Sequence, residues 1–236
     1  MRISVITPTL YRPKSHALLD RVWGEQMYQP YEHIILEESW SADRHGVGFA
    51  NSFVKYIKLP DTRARNMLAL VNTGLKLNQG MDIATGDLLV FAGNDDYYAP
   101  GYLAGIAALF TRKPQILFSC CAKMKYWNIV HDYGFYNAAA SNGGGFVLRN
   151  NALAANFRYN DTRAGEDTAF RSLIRNSPLT TADQINTTPY NANIVVSRHS
   201  EQHHHIWMRA GLSATAETLE QWIPDAITRR LFMEAV

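Results

Sequence analysis

The sequence predicts an α/β protein in which a mainly parallel sheet is flanked by helices within a single domain. Three observations carry this. Strand-like and helix-like stretches alternate from the start of the chain as β-α-β-β-α-β-α-β, the order that parallel crossovers produce. The run Leu88 to Ala92 is apolar without alternation, the pattern of a strand covered on both faces. At 236 residues, with 47% hydrophobic and 19% charged, the chain can bury one sizeable core.

Taken in order, Arg2 to Thr7 is rich in β-formers, and Pro8 is expected to end it. Ala17, Leu18, Val22 and Met27 recur at helical spacing, giving a helix over 14–27. Tyr31 to Leu36 reads as a second strand running into Glu37 and Glu38. A polar loop covers 39–52, and a strand over 53–59 stops at Pro60. A helical pattern spans 64–84 but contains Gly74 and Gly80, which favour a break into two pieces. After Leu88–Ala92 a helix is expected over 100–112, with Pro100 in its first turn, then a strand over 116–126. Trp127 to Gly145 turns aromatic and then small, and reads as a loop. A short strand at 146–149, a short helix at 150–157, a helix at 165–175 and a strand at 193–197 follow. Two helical stretches parted by Pro224 close the chain. The expected organisation is one domain over 1–212 with a helical extension, 213–236, packed on it.

Composition narrows the function classes. Twenty-three basic and 21 acidic residues leave a net charge of +2, too small to argue for nucleic acid. No apolar run approaches the ~18 residues of a membrane span, and Met1-Arg2 leads straight into Ile3–Ile6 without a signal-like stretch. Cys120 and Cys121 are adjacent in an apolar run, so in a strand they face opposite ways and read as free thiols. A cytoplasmic, reducing location is expected.

The chemistry concentrates after Leu88–Ala92. That run is bounded by Gly86 and Gly93 and stops on Asn94-Asp95-Asp96, with Pro100 beyond. Ligands of open α/β sheets gather at the carboxyl ends of strands, and adjacent carboxylates there suit a hard cation. The plainer reading is a turn in which Asn94 and Asp95 cap the following helix.

Five segments together resemble a family 2 glycosyltransferase of the GT-A, nucleotide-sugar-binding fold. They are Ile3–Thr9, Glu32–Ser39, the N-x-G and A-x-G-D stretch Asn78–Asp87, Phe91–Pro100, and Gly143–Arg149 with Gly165-Glu166-Asp167. The resemblance spans roughly 1–205 and implies a GT-A-type, Rossmann-like mixed sheet. It also implies an inverting transfer of a sugar from a nucleotide diphosphate to a hydroxyl acceptor, dependent on Mn²⁺ or Mg²⁺.

Residue by residue, the resemblance puts Asp95 and its neighbour Asp96 at the metal, while the family's first acid falls on Gly93. Thr7, Pro8, Thr9, Glu37, Glu38, Asn78, Gly93, Asn94 and Arg198 are implied to line the nucleotide-sugar. Asp167, with Glu166, is implied to take the acceptor proton. Gly143, Gly144, Gly145 and Trp127 fall on the acceptor side, where the glycines either admit the acceptor or form a bend. With an acid missing at 93, one of His199, His203 and His205 is expected to join the cation. The acceptor is a glycan, a lipid-linked sugar, a protein or a modified nucleic-acid base.

Two rivals share the pattern. One is a catalytically inactive nucleotide-sugar or glycan binder, which Gly93 favours and Glu166-Asp167 opposes. The other is a nucleotidyltransferase, disfavoured because the loop Pro8–Pro13 has no glycine to cradle phosphate.

Overall fold

A computed structural model describes residues 1–10, 13–38, 50–59, 73–129, 132–138, 145–160, 165–188, 191–198 and 217–235. Its main sheet has seven strands in the order β10-β6-β9-β4-β1-β2-β3. These are β1 (Ile3–Leu10), β2 (Glu32–Glu38), β3 (Val54–Leu59), β4 (Leu88–Phe91), β6 (Phe118–Cys121), β9 (Val147–Arg149) and β10 (Ile185–Thr188). β1 runs parallel to both β2 and β4, and β9 alone is antiparallel to its two neighbours. A second sheet, β5-β11-β7-β8, contains β5 (Tyr97–Tyr98), β7 (Lys123–Asn128), β8 (Tyr133–Ala138) and β11 (Asn191–Arg198).

Helices cover both faces of the main sheet, which is why β4 needs no polar residue. Leu88 and Val90 point into a core shared with Leu18, Leu19 and Trp23 of α1 (Pro13–Gly24) and Leu103 and Phe110 of α3 (Tyr102–Arg112). Leu89 and Phe91 point the other way, onto Leu77 and Met81 of α2 (Thr73–Ile83) and Phe170 and Ile174 of α4 (Glu166–Arg175). The chain closes with α5 (Leu219–Trp222) and α6 (Ala226–Glu234), whose Leu219, Trp222 and Phe232 join the first core. Arg21 of α1 ties α6 down, donating from Nε to Thr228 Oγ1 at 2.7 Å and pairing with Asp225 at 3.0 Å.

Several local expectations change. β1 continues through Pro8 to Leu10, because beyond Ile6 it pairs with β2 alone and a missing N–H is tolerated on a one-sided stretch. Gly80 does not break α2. It is a close approach, where a Cβ would lie 2.4 Å from Ile6 Cγ2, so glycine lets the helix sit on β1. The single strand expected over 116–126 is two strands that change sheets at Ala122. Trp127, Asn128 and Tyr133–Ala138 are not loop but belong to the antiparallel pair β7–β8, where aromatic residues such as Tyr126 and Phe135 stack 5.4 Å apart. The 150–157 segment is only a three-residue 3₁₀ turn, Ala154–Asn156. Residues 39–49 and 60–72, expected as loop and first half of a helix, lie outside the described residues.

Candidate functional site

The carboxyl ends of β1, β2 and β4 lie side by side and collect most of the singled-out residues that the structure describes. Phe91 at the end of β4 pairs with Ile6, and the chain then turns through Gly93-Asn94-Asp95-Asp96. Asn94 Nδ2 donates to Thr9 Oγ1 at 2.9 Å, tying this turn to the end of β1. Asn94, Asp95 and Asp96 are 9%, 7% and 5% exposed, so the acids sit in a floor rather than on a solvated rim. They do not cap a helix: α3 begins at Tyr102 behind Gly101, which makes no side-chain cap.

Gly93 is shaped by Asp96. A Cβ at 93 would meet Asp96 Oδ2 at 2.3 Å, and its three nearest neighbours would all be atoms of that side chain. The Gly93 N–H donates to the Tyr98 hydroxyl at 2.8 Å. Tyr98 is fully buried, stacked 4.8 Å from Trp23, and burial, with the charges of Asp96 and Asp95 adding, holds its phenol protonated far above the usual range. The chain therefore folds one carboxylate back over the glycine and braces the turn with a phenol.

Beneath the strand ends lies a buried polar layer. Thr7 Oγ1 and His33 Nε2 are 2.9 Å apart, and burial pushes the His33 imidazole down to about 3, so it is neutral. His16 Nε2 is 3.2 Å from Glu37 Oε2, and the Tyr56 hydroxyl also donates to Glu37. Burial alone would raise the Glu37 carboxyl, but His16, Tyr56 and the charge of Lys76 hold it below the usual range. Lys76 Nζ donates to the Thr9 carbonyl at 2.8 Å. Thr7, Thr9 and Glu37 are residues the sequence singles out; His16, His33, Tyr56 and Lys76 are not. Period-two spacing does place His33 and Glu37 on one face of β2, and helical spacing stacks Lys76 on Gly80.

The remaining residues divide. Asn78 bonds main chain, not open space: its Nδ2 donates to Tyr159 O and its Oδ1 accepts from Tyr159 N, each at 2.8 Å. Glu166 and Asp167 open α4 behind Gly165, whose φ of +77° suits glycine. Gly145 is buried against Met124 and Cys121, where a Cβ would lie 2.0 and 2.8 Å away. Trp127 is 4% exposed and packs edge-on to Trp222 at 5.5 Å. It borders a cavity of about 320 Å³ with Tyr133, Glu217 and Arg229. Arg198 ends β11 opposite Asn128, with its side chain outside the described residues, as is that of Glu38. Gly143, Gly144, His199, His203 and His205 also lie outside them.

The donor set tests whether a divalent cation fits. Adjacent, near-buried carboxylates at a strand end supply hard oxygen ligands. Among the described residues no group of three or more His, Cys, Asp and Glu side chains could hold a metal. The described residues thus offer a cation this carboxylate pair, and further ligands from elsewhere would complete its shell.

Solved structures share this architecture. Staphylococcus aureus TarS is 16% identical over 84% of this chain and 37% of its own, with a TM-score of 0.62. Its 1–349 portion in complex with UDP-GlcNAc is 17% identical over 86% and 60%, with a TM-score of 0.60. The mannosyltransferase PcManGT from Pyrobaculum calidifontis, in complex with GDP-Man and Mn²⁺, is 18% identical over 87% and 59%, with a TM-score of 0.57. The chain thus spans between about a third and three fifths of these neighbours. No protein-family model and no curated protein matches it. At these identities the likeness establishes the fold, and the fold is of the GT-A type.

Proposed function

We propose that this GT-A-fold chain transfers a sugar from a nucleotide diphosphate to a hydroxyl acceptor with inversion at the anomeric carbon. The observation that carries the reading is the pair Asp95-Asp96, set in the floor where β4 ends beside Thr9. Neighbours of the same fold hold UDP-GlcNAc, or GDP-Man with Mn²⁺, which supports a nucleotide-sugar donor and a divalent cation here.

In this reading the ends of β1 and β2, from Thr7 to Thr9 and at Glu37 and Glu38, receive the nucleotide. The buried layer of His16, His33, Tyr56 and Lys76 keeps those strand ends rigid. Asp95, with Asp96, would hold Mn²⁺ or Mg²⁺, which when bound offsets the charge that builds on the departing diphosphate. Asp167, in the first turn of α4, accepts the acceptor's hydroxyl proton as the new glycosidic bond forms. A further ligand from 199–205, beyond the end of β11 at Arg198, is part of this reading; those residues lie outside the described ones. The closing helices belong to the same domain.

The test is a thermal-shift and turnover screen with UDP- and GDP-sugars, with Mn²⁺ or Mg²⁺ and then with EDTA. Stabilisation and nucleotide release that vanish in chelator and return with metal are expected. Binding without turnover would make the chain a non-catalytic nucleotide-sugar binder, and no response to any nucleotide sugar would defeat both readings.

A further inference from the structure

The contacts of Asn78 connect three parts of the molecule that must keep register if Asp95 and Asp167 are to act on one sugar. Asn78 lies in α2, and its amide clamps both main-chain polar groups of Tyr159, 81 residues away, at 2.8 Å each. Tyr159 is 3% exposed, and its ring lies flat on Phe170, with centroids 3.9 Å apart and planes 5° apart. Phe170 is one helical turn after Asp167, on the same side of α4. Both rings also meet Phe91 edge-on, at 5.5 and 5.9 Å, and Phe91 is the last residue of β4, four before Asp95. Among the described residues the buried Tyr159 hydroxyl has no hydrogen-bond partner, and the ring is held by stacking and by its clamped backbone.

We propose that Asn78 is a positioning residue, fixing Asp167 relative to Asp95 through the Tyr159 backbone and the Phe91–Tyr159–Phe170 ring cluster. The inference rests on reading Asp167 as the base, and it gives Asn78 a role other than the expected contact with the nucleotide. An amide engaged at both ends by one residue's main chain keeps one N–H and one lone pair, but its orientation is fixed by that clamp. Misplacement of a reacting group by about 1 Å from a change outside the chemistry can cost about 100-fold in rate. A second tie between the same segments, Arg158 to Asp82 at 2.9 Å, is exposed on both sides and is expected to matter little.

The experiment compares Asn78→Ala, Phe170→Leu and Asp82→Asn with the unaltered chain. It measures nucleotide release from UDP-N-acetylglucosamine, UDP-glucose, UDP-galactose and GDP-mannose with Mn²⁺, and calorimetric binding of UDP and GDP, below the melting temperature of each variant. Asn78→Ala and Phe170→Leu are expected to lower kcat by about 10- to 100-fold. Donor KM and nucleotide Kd stay within about twofold, and Asp82→Asn matches the unaltered chain. Phe170→Leu carries the test if Asn78→Ala fails to fold, because it keeps most of the apolar volume and removes the stack. A rise in donor KM that accounts for the loss would make Asn78 a nucleotide ligand and overturn the proposal. So would unchanged kcat, or an equal loss in Asp82→Asn. Absence of turnover by the unaltered chain with every donor would instead overturn the functional reading, and this inference with it.

Discussion

Asp96 Oδ2 lies 2.3 Å from the point where a Cβ on Gly93 would stand. A side chain at 93 and the observed pose of Asp96 are therefore mutually exclusive. The resemblance puts the family's first acid at 93. Here the glycine and the folded-back carboxylate are two halves of one arrangement, with Asp96 supplying a charge beside the vacated place.

Gly93→Ala should displace Asp96 and cost about 1–3 kcal/mol as an overpacked site. The methyl would meet little besides Asp96, so Gly93→Ala with Asp96→Ala should be less destabilised than the two single changes summed. Denaturant unfolding of the four proteins measures this coupling. Strict additivity would show that Asp96 moves freely.

Asp167→Asn should lower kcat by at least about 100-fold, the usual contribution of a general base. Calorimetric binding of UDP or GDP with Mn²⁺ should survive. Asp95→Asn should do the reverse, weakening metal-supported nucleotide binding itself. Loss of nucleotide binding in Asp167→Asn would give that residue a structural role.

His33 ties the site to acid stability. Burial, with the nearby His16 adding, lowers its pKa from 6.5 to about 3. The unfolded chain thus binds a proton between those values that the folded chain refuses. Its contribution to stability is whole above about pH 6.5 and is lost as pH falls towards 3. Unfolding free energies at pH 7, 5 and 4 should fall more steeply for the unaltered chain than for His33→Gln.

Glu32 acts at the opposite end of β2, in a lower window. Burial would raise its carboxyl, but bonds from Lys55, from Ser4 at 2.6 Å and from Thr85 N at 2.7 Å outweigh burial and hold it at about 2. Its contribution is present above about pH 4.5 and is lost as pH falls towards 2. Glu32→Gln should cost about 1–3 kcal/mol at pH 7, because donors around a 1%-exposed side chain would lose a charged acceptor. The deficit should shrink at pH 3, as read by denaturant unfolding.

Local patterns made the first half of the fold legible. An unalternating Leu88–Ala92, helix-spaced Leu18 and Val22, and paired acids after a strand each carry their meaning within a few residues. Such signals need only hydrophobic period and turn chemistry. The β7–β8 pair is not legible in the sequence, because aromatic residues such as Trp127 and Tyr136 find their partner, Trp222, only when α5 packs against the two strands.

The sequence by itself determined the α/β class, the position of Asp95 and Asp96 at a strand end, and Glu166-Asp167 at a helix start. All of these follow from residue order along single elements. Only the tertiary structure decided that Asp96 folds over Gly93, that His16 and Tyr56 converge on Glu37, and that Asn78 grips Tyr159. Those contacts join residues up to 81 positions apart. No local period encodes such a pair. It exists because sheet register and helix packing bring the two segments to hydrogen-bonding distance, where a half-buried amide or a buried carboxylate finds its partner.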